Sequence, residues 1–303
     1  METNICFNRE VNLHLIFGML YFLASLTASI GNGFMLYIAR RDPLKLFNKP
    51  TNVLNVSIGL NHLFAGIFVL PLLGINSVLR SQELVNEVAE QFQDVLIHFV
   101  VTTSSLLLLV LFFERYTAFV YPLLNRRHAT IERVNRICSL VAATCFVFSC
   151  ILFTGVSKNI FYVITLSVFI LLPCMGMKVM LAISFCLLRR RTRVAQDITH
   201  DSQIRVMNPN KSKRNLQLRQ YLKAATKGTV AAVLPMVFYC LVKILGYTKI
   251  EFSTTSCYDL LEHMSFAAVF LSTVMNPVVV FLKIPVYKRS MRHLWDRRKK
   301  GLR

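Results

Sequence analysis

Residues 112–124 read FFERYTAFVYPLL and close the third of seven long apolar runs. An acid and a base side by side, Glu114 and Arg115, are costly to place at the edge of hydrocarbon. Such a pair either marks the end of a span or has a partner there. The runs around it decide the fold. They cover 13–39, 52–79, 92–119, 134–155, 160–188, 221–247 and 257–282. Each is near the ~20 residues that cross a bilayer as a helix. In lipid only helices and closed barrels satisfy every backbone polar group. The runs therefore predict an all-α membrane protein, a seven-transmembrane helix bundle. Composition agrees. Apolar residues make up 54% of the 303 and the mean hydropathy is +0.51, against about 45–50% apolar in soluble domains. Little chain remains between the runs, so 1–303 reads as a single domain without repeats, Gly/Ser-rich linkers or low-complexity segments.

The net charge of +20 would suit a nucleic-acid-binding protein, but its distribution argues against nucleic acid as a partner. Segments 40–51, 115–133, 189–220 and 283–303 fall on one side of the runs. With the adjoining helix ends they hold 29 of the 35 Lys and Arg against six acids, a net of +23. The other side has five basic residues, Arg9, Arg80, Lys158, Lys243 and Lys249, against nine acids, a net of −4. Lys178, inside the fifth run, is the remaining charge. Cytoplasmic loops carry the Lys/Arg excess. The expected topology is a multi-pass plasma-membrane protein with its N-terminus outside and its C-terminus inside. The basic loops serve topology and attraction to anionic membrane lipids as well as partner binding. Glu2, Glu10 and only Arg9 precede a first run too long for a signal-peptide core, so the first helix is expected to act as a signal anchor.

Eight cysteines are present, and only Cys6 and Cys257 fall near the outer, oxidising side. They either pair or stay free, because sequence cannot assign connectivity. The other six read as small buried apolar residues. Two sequons, Asn55-Val-Ser57 inside a span and Asn210-Lys-Ser212 in a cytoplasmic loop, are expected to stay unglycosylated. Neither metal-ligand spacing nor a cofactor motif is visible, and no cofactor is expected.

Glu114-Arg115-Tyr116 with Pro122 resembles the cytoplasmic end of the third helix in rhodopsin-like (class A) G-protein-coupled receptors, and the likeness runs helix by helix. The first span carries Gly31-Asn32. The second has Asn52, Ser57, Gly66 and Pro71, and the third has Ser104. Prolines follow at Pro173, Pro235 and Asn276-Pro277 in the fifth, sixth and seventh. Membrane helices tolerate proline because neighbours recover the freed carbonyls, and the kinks serve a switch. Residues 285–296 resemble the short amphipathic eighth helix that lies along the inner leaflet, with Tyr287 where the family usually has Phe. The resemblance implies a receptor, not an enzyme. It would transduce an extracellular ligand to a cytoplasmic heterotrimeric G protein. The implied activation switch is Glu114, Arg115, Tyr116, Pro235, Asn276 and Pro277, with Arg115 and Pro122 touching the G protein. At rest Glu114 would hold Arg115. Arg219, Tyr221, Lys223 and Lys227 lead into the sixth helix without an acid, so Glu114 alone is expected to lock the arginine, and weakly.

The chain departs from the family in several places. His62 stands where the family has an intramembrane Asp that, with Asn32, Ser104, Ser272 and Asn276, forms a sodium site. Imidazole offers no anionic oxygen to a hard cation. His62 is either a neutral ring satisfied by Asn276 or Ser104, or a proton switch. Val280 and Leu181 replace tyrosines, and Val233 replaces a tryptophan. The ligand pocket implied by the resemblance includes Ile97, His98, Val101, Tyr239 and Phe270. Ile97 argues against an amine receptor and Phe270 against a light receptor. The disulfide usual at the outer end of the third helix is missing, since Glu90 occupies its position. Asp94, Glu262 and His263 are further polar candidates for ligand contact, with Asp94 and Glu262 read individually rather as solvated outer-surface groups. Two other classes stand beside the receptor. A membrane hydrolase would need clustered His and acids on inward faces, but the seven histidines are scattered. A transporter would show repeats or paired broken helices. Lys178 either belongs to an ion path or snorkels to the interface. A non-signalling, partner-dependent seven-helix protein is the remaining alternative.

Overall fold

The computed structural model describes residues 2–41, 49–84, 86–201, 234–246, 256–283 and 285–301. Arg219, Tyr221, Lys223, Lys227 and Val233 lie outside the described residues, as do the side chains of Cys6 and Cys257. The described residues are helical almost throughout. In chain order the helices are α1 (Glu2–Arg41), α2 (Pro50–Ser81), α3 (Glu87–Val120), α4 (Pro122–His128), α5 (Ile131–Thr154), α6 (158–201), α7 (Leu234–Gly246), α8 (Ser256–Lys283) and α9 (Pro285–Gly301). Six of them are long and apolar enough to cross a membrane, and α7 is a shorter apolar helix. The qualifying apolar stretches are Asn12–Arg41, Pro50–Ser81, Glu87–Val120, Ile131–Thr154, Lys158–Leu187 and Tyr258–Phe281, and of 221–247 only Leu234–Gly246 is described.

Local chemistry sets the ends. Pro50 opens α2 at a position where its missing N–H costs nothing. Asn86 caps α3, its side chain accepting from the Val88 and Ala89 amides. Tyr121 sits at φ −126°, ψ 65°, outside the α region, because the residue before a proline is pushed out of it. Pro122 therefore ends α3. Two prolines inside helices are each preceded by a widened π turn, Ala65–Val69 before Pro71 and Thr165–Leu171 before Pro173. The Ser25 hydroxyl donates to the Gly66 carbonyl at 2.7 Å, so a neighbouring helix supplies a partner within the first of these turns.

The packing puts α3 at the centre, against α2, α5 and α6, while α1 lies on α2, α8 and α9. The main core joins Tyr21, Val69, Leu73, Ile97, Val101, Tyr162, Met236, Tyr239 and Phe270 from six of the helices. At the end nearest the C-terminus, Tyr287 of α9 is fully buried with Met35, Ile38 and Val280. Large apolar side chains such as Leu23, Leu140, Leu172 and Leu271 point outward, as they do where the surroundings are lipid. Lys178 is exposed among them, so it lines no interior path.

Small residues let α1 and α2 approach. A Cβ on Gly66 would sit 2.8 Å from Ser29 Oγ and 3.0 Å from the Ser29 backbone nitrogen. Such close seams are how membrane helices associate without a hydrophobic drive. Gly66→Val is expected to lower stability by about 1–3 kcal/mol, since backbone cannot yield to it. A fall in the thermal midpoint of the purified protein checks this; an unchanged midpoint would mean the seam can part freely.

Candidate functional site

The helices run alternately, so the polar residues collect at two poles and in a middle layer. At the C-terminal pole, Glu114 is buried at the end of α3 while the Arg115 side chain is 41% exposed. Arg115 Nε lies 3.7 Å from Glu114 Oε2. That same oxygen accepts a 2.8 Å hydrogen bond from Thr51 Oγ1 in the first turn of α2. The carboxylate is thus shared, and its shorter contact is with Thr51. Tyr116 is half-buried on the same turn of α3. Beyond it, Thr117 Oγ1 donates to Asn125 Oδ1 at 3.0 Å, tying α3 to α4. Pro122 starts α4, whose Leu123 is 84% exposed.

In the middle layer, Asn32 Nδ2 donates to the carbonyls of Ala28 at 2.9 Å and Thr273 at 3.1 Å. Asn276 Nδ2 reaches Asn32 Oδ1 at 3.4 Å, next to Pro277 in α8. Ser272 turns back to its own helix and donates to Val269 O at 2.8 Å. Ser104 accepts from Asn61 Nδ2 at 2.8 Å, and Asn61 also bonds Val100 O at 3.0 Å. The expectation that Ser104 or Asn276 satisfies His62 is therefore corrected. Asn61 takes Ser104, Asn276 turns to Asn32, and His62 Nδ1 is buried without a hydrogen-bond partner. The predicted cluster is two clusters, Asn32 with Asn276 and Asn61 with Ser104.

At the N-terminal pole the expected pocket residues do converge. Ile97, Val101, Tyr239 and Phe270 are essentially unexposed in one apolar cluster. His98 packs its ring edge-on against Phe161 and Tyr162, with centroids 5.0 and 4.8 Å away, and lies 5.7 Å from Tyr239. Its Nδ1 meets the Asp94 carbonyl at 2.7 Å. A carbonyl only accepts, so Nδ1 carries the proton. In the neutral ring Nε2 is then an acceptor, and it has no hydrogen-bond partner. Pro235 opens the described part of α7, one turn before Tyr239.

The solvated reading of Asp94 and Glu262 is corrected too. They are 8% and 4% exposed, and Lys243 is 5% exposed. Lys243 Nζ lies 2.5 Å from Glu262 Oε1 and 3.6 Å from Asp94 Oδ1. Arg80 reaches Glu90 at 2.8 Å and Glu262 at 3.3 Å. Charges this deep are expensive unless paired, and here cations from α2 and α7 meet acids from α3 and α8. Beside them His263 meets His14 at 2.8 Å and Tyr21 at 3.1 Å, with Phe17 stacked on its ring. Sequence reasoning did not find Thr51, Asn61 or the pairing of Lys243 with Glu262. The available signal was register: Glu90 and Asp94 lie on one face of α3, turned toward the bundle.

With this geometry in view, residues 31–279 match the family described as 7 transmembrane receptor (rhodopsin family). The chain belongs to the rhodopsin family of seven-transmembrane receptors. It is a multi-pass membrane receptor of the G-protein-coupled type, and rhodopsin-family receptors are in general not enzymes. Comparison with curated proteins finds no match.

Proposed function

We propose that this rhodopsin-family receptor binds an extracellular ligand at its N-terminal pole and activates a heterotrimeric G protein at its C-terminal pole. The carrying observation is Glu114 with Arg115: a buried acid and a half-exposed arginine at the mouth of the helix bundle, beside an exposed Leu123. That arrangement keeps the arginine available to a partner, and a weak contact is easily exchanged in a two-state equilibrium. The seventh crossing is completed by 221–247, of which α7 supplies the described end. The amphipathic α9 lies along the inner leaflet, and the domain spans the chain from 1 to 303. Ile97, His98, Val101, Tyr239 and Phe270 receive the ligand. Pro235, Asn276 and Pro277 belong to the moving parts, and Arg115, Tyr116 and Pro122 face the G protein. The test is ligand-dependent nucleotide exchange on G proteins reconstituted with the purified receptor, screened across a ligand library. Nucleotide exchange that never depends on the receptor would sink the proposal.

The charge asymmetry supports an orientation with the N-terminus out and the C-terminus in, which we place at the plasma membrane. A tag at residue 1 is expected to stain on intact cells and a tag at residue 303 only after permeabilisation. The reverse pattern would overturn the orientation.

The middle layer is expected to be indifferent to sodium, since His62 supplies no anion and Ser104 is already engaged with Asn61. The thermal midpoint is expected to be the same in sodium and in a large organic cation at equal ionic strength. His62→Asp is expected to raise the midpoint in sodium alone, because it adds an anionic oxygen among polar neighbours. A sodium effect in the unmodified chain would show that another group supplies the charge.

A further inference from the structure

The charged groups of the N-terminal pole form a layer of their own. Asp94 precedes His98 by four residues, Lys243 follows Tyr239 by four, and Glu262 precedes Phe266 by four. Four residues are about one helical turn. Given the directions of α3, α7 and α8, each charged residue stands one turn nearer the pole than its aromatic partner. Lys243 Nζ also lies 5.1 Å from the centroid of the Phe266 ring, a distance at which a cation is attracted to the aromatic face. An ionic layer thus caps an aromatic layer across three helices, and Arg80 extends it to α2.

The cap has two unusual properties. Lys243 of α7 bonds acids on α3 and α8 and so ties α7 to both neighbours in this layer, as Arg80 ties α2 to the same two helices. Among the described residues the layer also holds three acids, Glu90, Asp94 and Glu262, against two bases, Arg80 and Lys243; Asp94, Glu262 and Lys243 are the buried ones, two acids to one base. A buried layer with unequal charge is a poor way to gain stability, since apolar residues of similar volume do better. Its advantage lies in opening: separated charges regain hydration on contact with water, whereas an apolar lid would not.

We propose that Lys243, with Glu262 and Asp94, is an ionic latch that closes the pole over the His98 and Tyr239 core and parts to admit the ligand. The gating role rests on the receptor reading, but the latch is testable without ligand or G protein. Cys240 provides the probe. It is fully buried in the same apolar cluster as Tyr239 and Phe270, three residues before Lys243. Cys145 is a fully buried thiol on α5, away from the latch, and serves as the control.

The experiment is alkylation of the purified, folded receptor by iodoacetamide, read by peptide mass mapping at Cys240 and Cys145. In the unmodified chain both are expected to react slowly. Lys243→Met and Glu262→Gln are each expected to speed Cys240 alkylation by about tenfold or more, since local opening exposes only the capped core. Cys145 is expected not to change. Lys243→Arg is expected to keep Cys240 close to its original rate, because it keeps a cation facing Glu262 and Asp94. Unchanged Cys240 in both single variants overturns the latch. So does equal acceleration at Cys145, which would make the layer a global brace, or a Lys243→Arg variant as fast as Lys243→Met. None of these outcomes bears on whether the receptor activates a G protein, which the nucleotide-exchange measurement decides separately.

Discussion

Arg115→Ala is expected to abolish G-protein activation, to the level of cells without the receptor, while surface staining stays normal. The two readouts separate because of where the side chain sits. Its 41% exposure and its 3.7 Å contact with Glu114 make it a small contributor to folding, as partly exposed ion pairs contribute about 0–1 kcal/mol. A partner entering at the C-terminal pole would lose its charged contact altogether. Nucleotide exchange and flow cytometry on the same cells give the answer. Normal signalling by Arg115→Ala would remove the basis of the proposed mechanism, and loss of both readouts would make Arg115 a folding residue.

The neighbouring contacts predict effects of opposite sign from two single changes. Glu114 Oε2 is shared between Thr51 at 2.8 Å and Arg115 at 3.7 Å. Glu114→Gln removes the charge that restrains the arginine, and ligand-free activity is expected to rise. Thr51→Val removes the competing hydroxyl. Glu114 is then left to Arg115 alone, the resting contact tightens, and ligand-free activity is expected to fall. A change of ~0.5–1 kcal/mol in the resting equilibrium gives roughly a two- to fivefold shift in each direction. The measurement is nucleotide exchange without ligand at matched surface expression. A rise in activity with Thr51→Val would mean that Thr51 supports the lock rather than dividing it.

The fold was legible because its signals are local and strong. Runs of apolar residues near membrane length, prolines and the Arg/Lys asymmetry are read along the chain without knowing what touches what. The contact between Glu114 and Arg115 was legible for the same reason: the two residues are adjacent. What stayed hidden depends on contacts between distant helices. Lys243 and Glu262 are only 19 apart in sequence but sit on different helices, and Lys243 reads as one more charge near the outer end of a span. Only the packing turns it inward, where it must be paired. Asn61 was overlooked because His62 beside it occupies the family's more conspicuous position, yet Asn61 is the one that reaches Ser104. Gly66 was visible as a motif residue, but the reason for it, the approach of Ser29, lies on another helix.

The polar contacts of α1 also bear on the order of assembly during synthesis. Its seam with α2 joins residues close in sequence, so a hairpin of α1 and α2 can close early, as contacts of short sequence separation generally do. His14, Tyr21 and Asn32, however, find their partners at His263, Thr273 and Asn276, more than 240 residues later. Until then Asn32 must sit in lipid. Its amide bond to the Ala28 carbonyl, at 2.9 Å within the same helix, needs nothing from the rest of the chain. The nascent helix therefore carries its own temporary partner for a polar side chain that the finished receptor will claim only when the last span arrives.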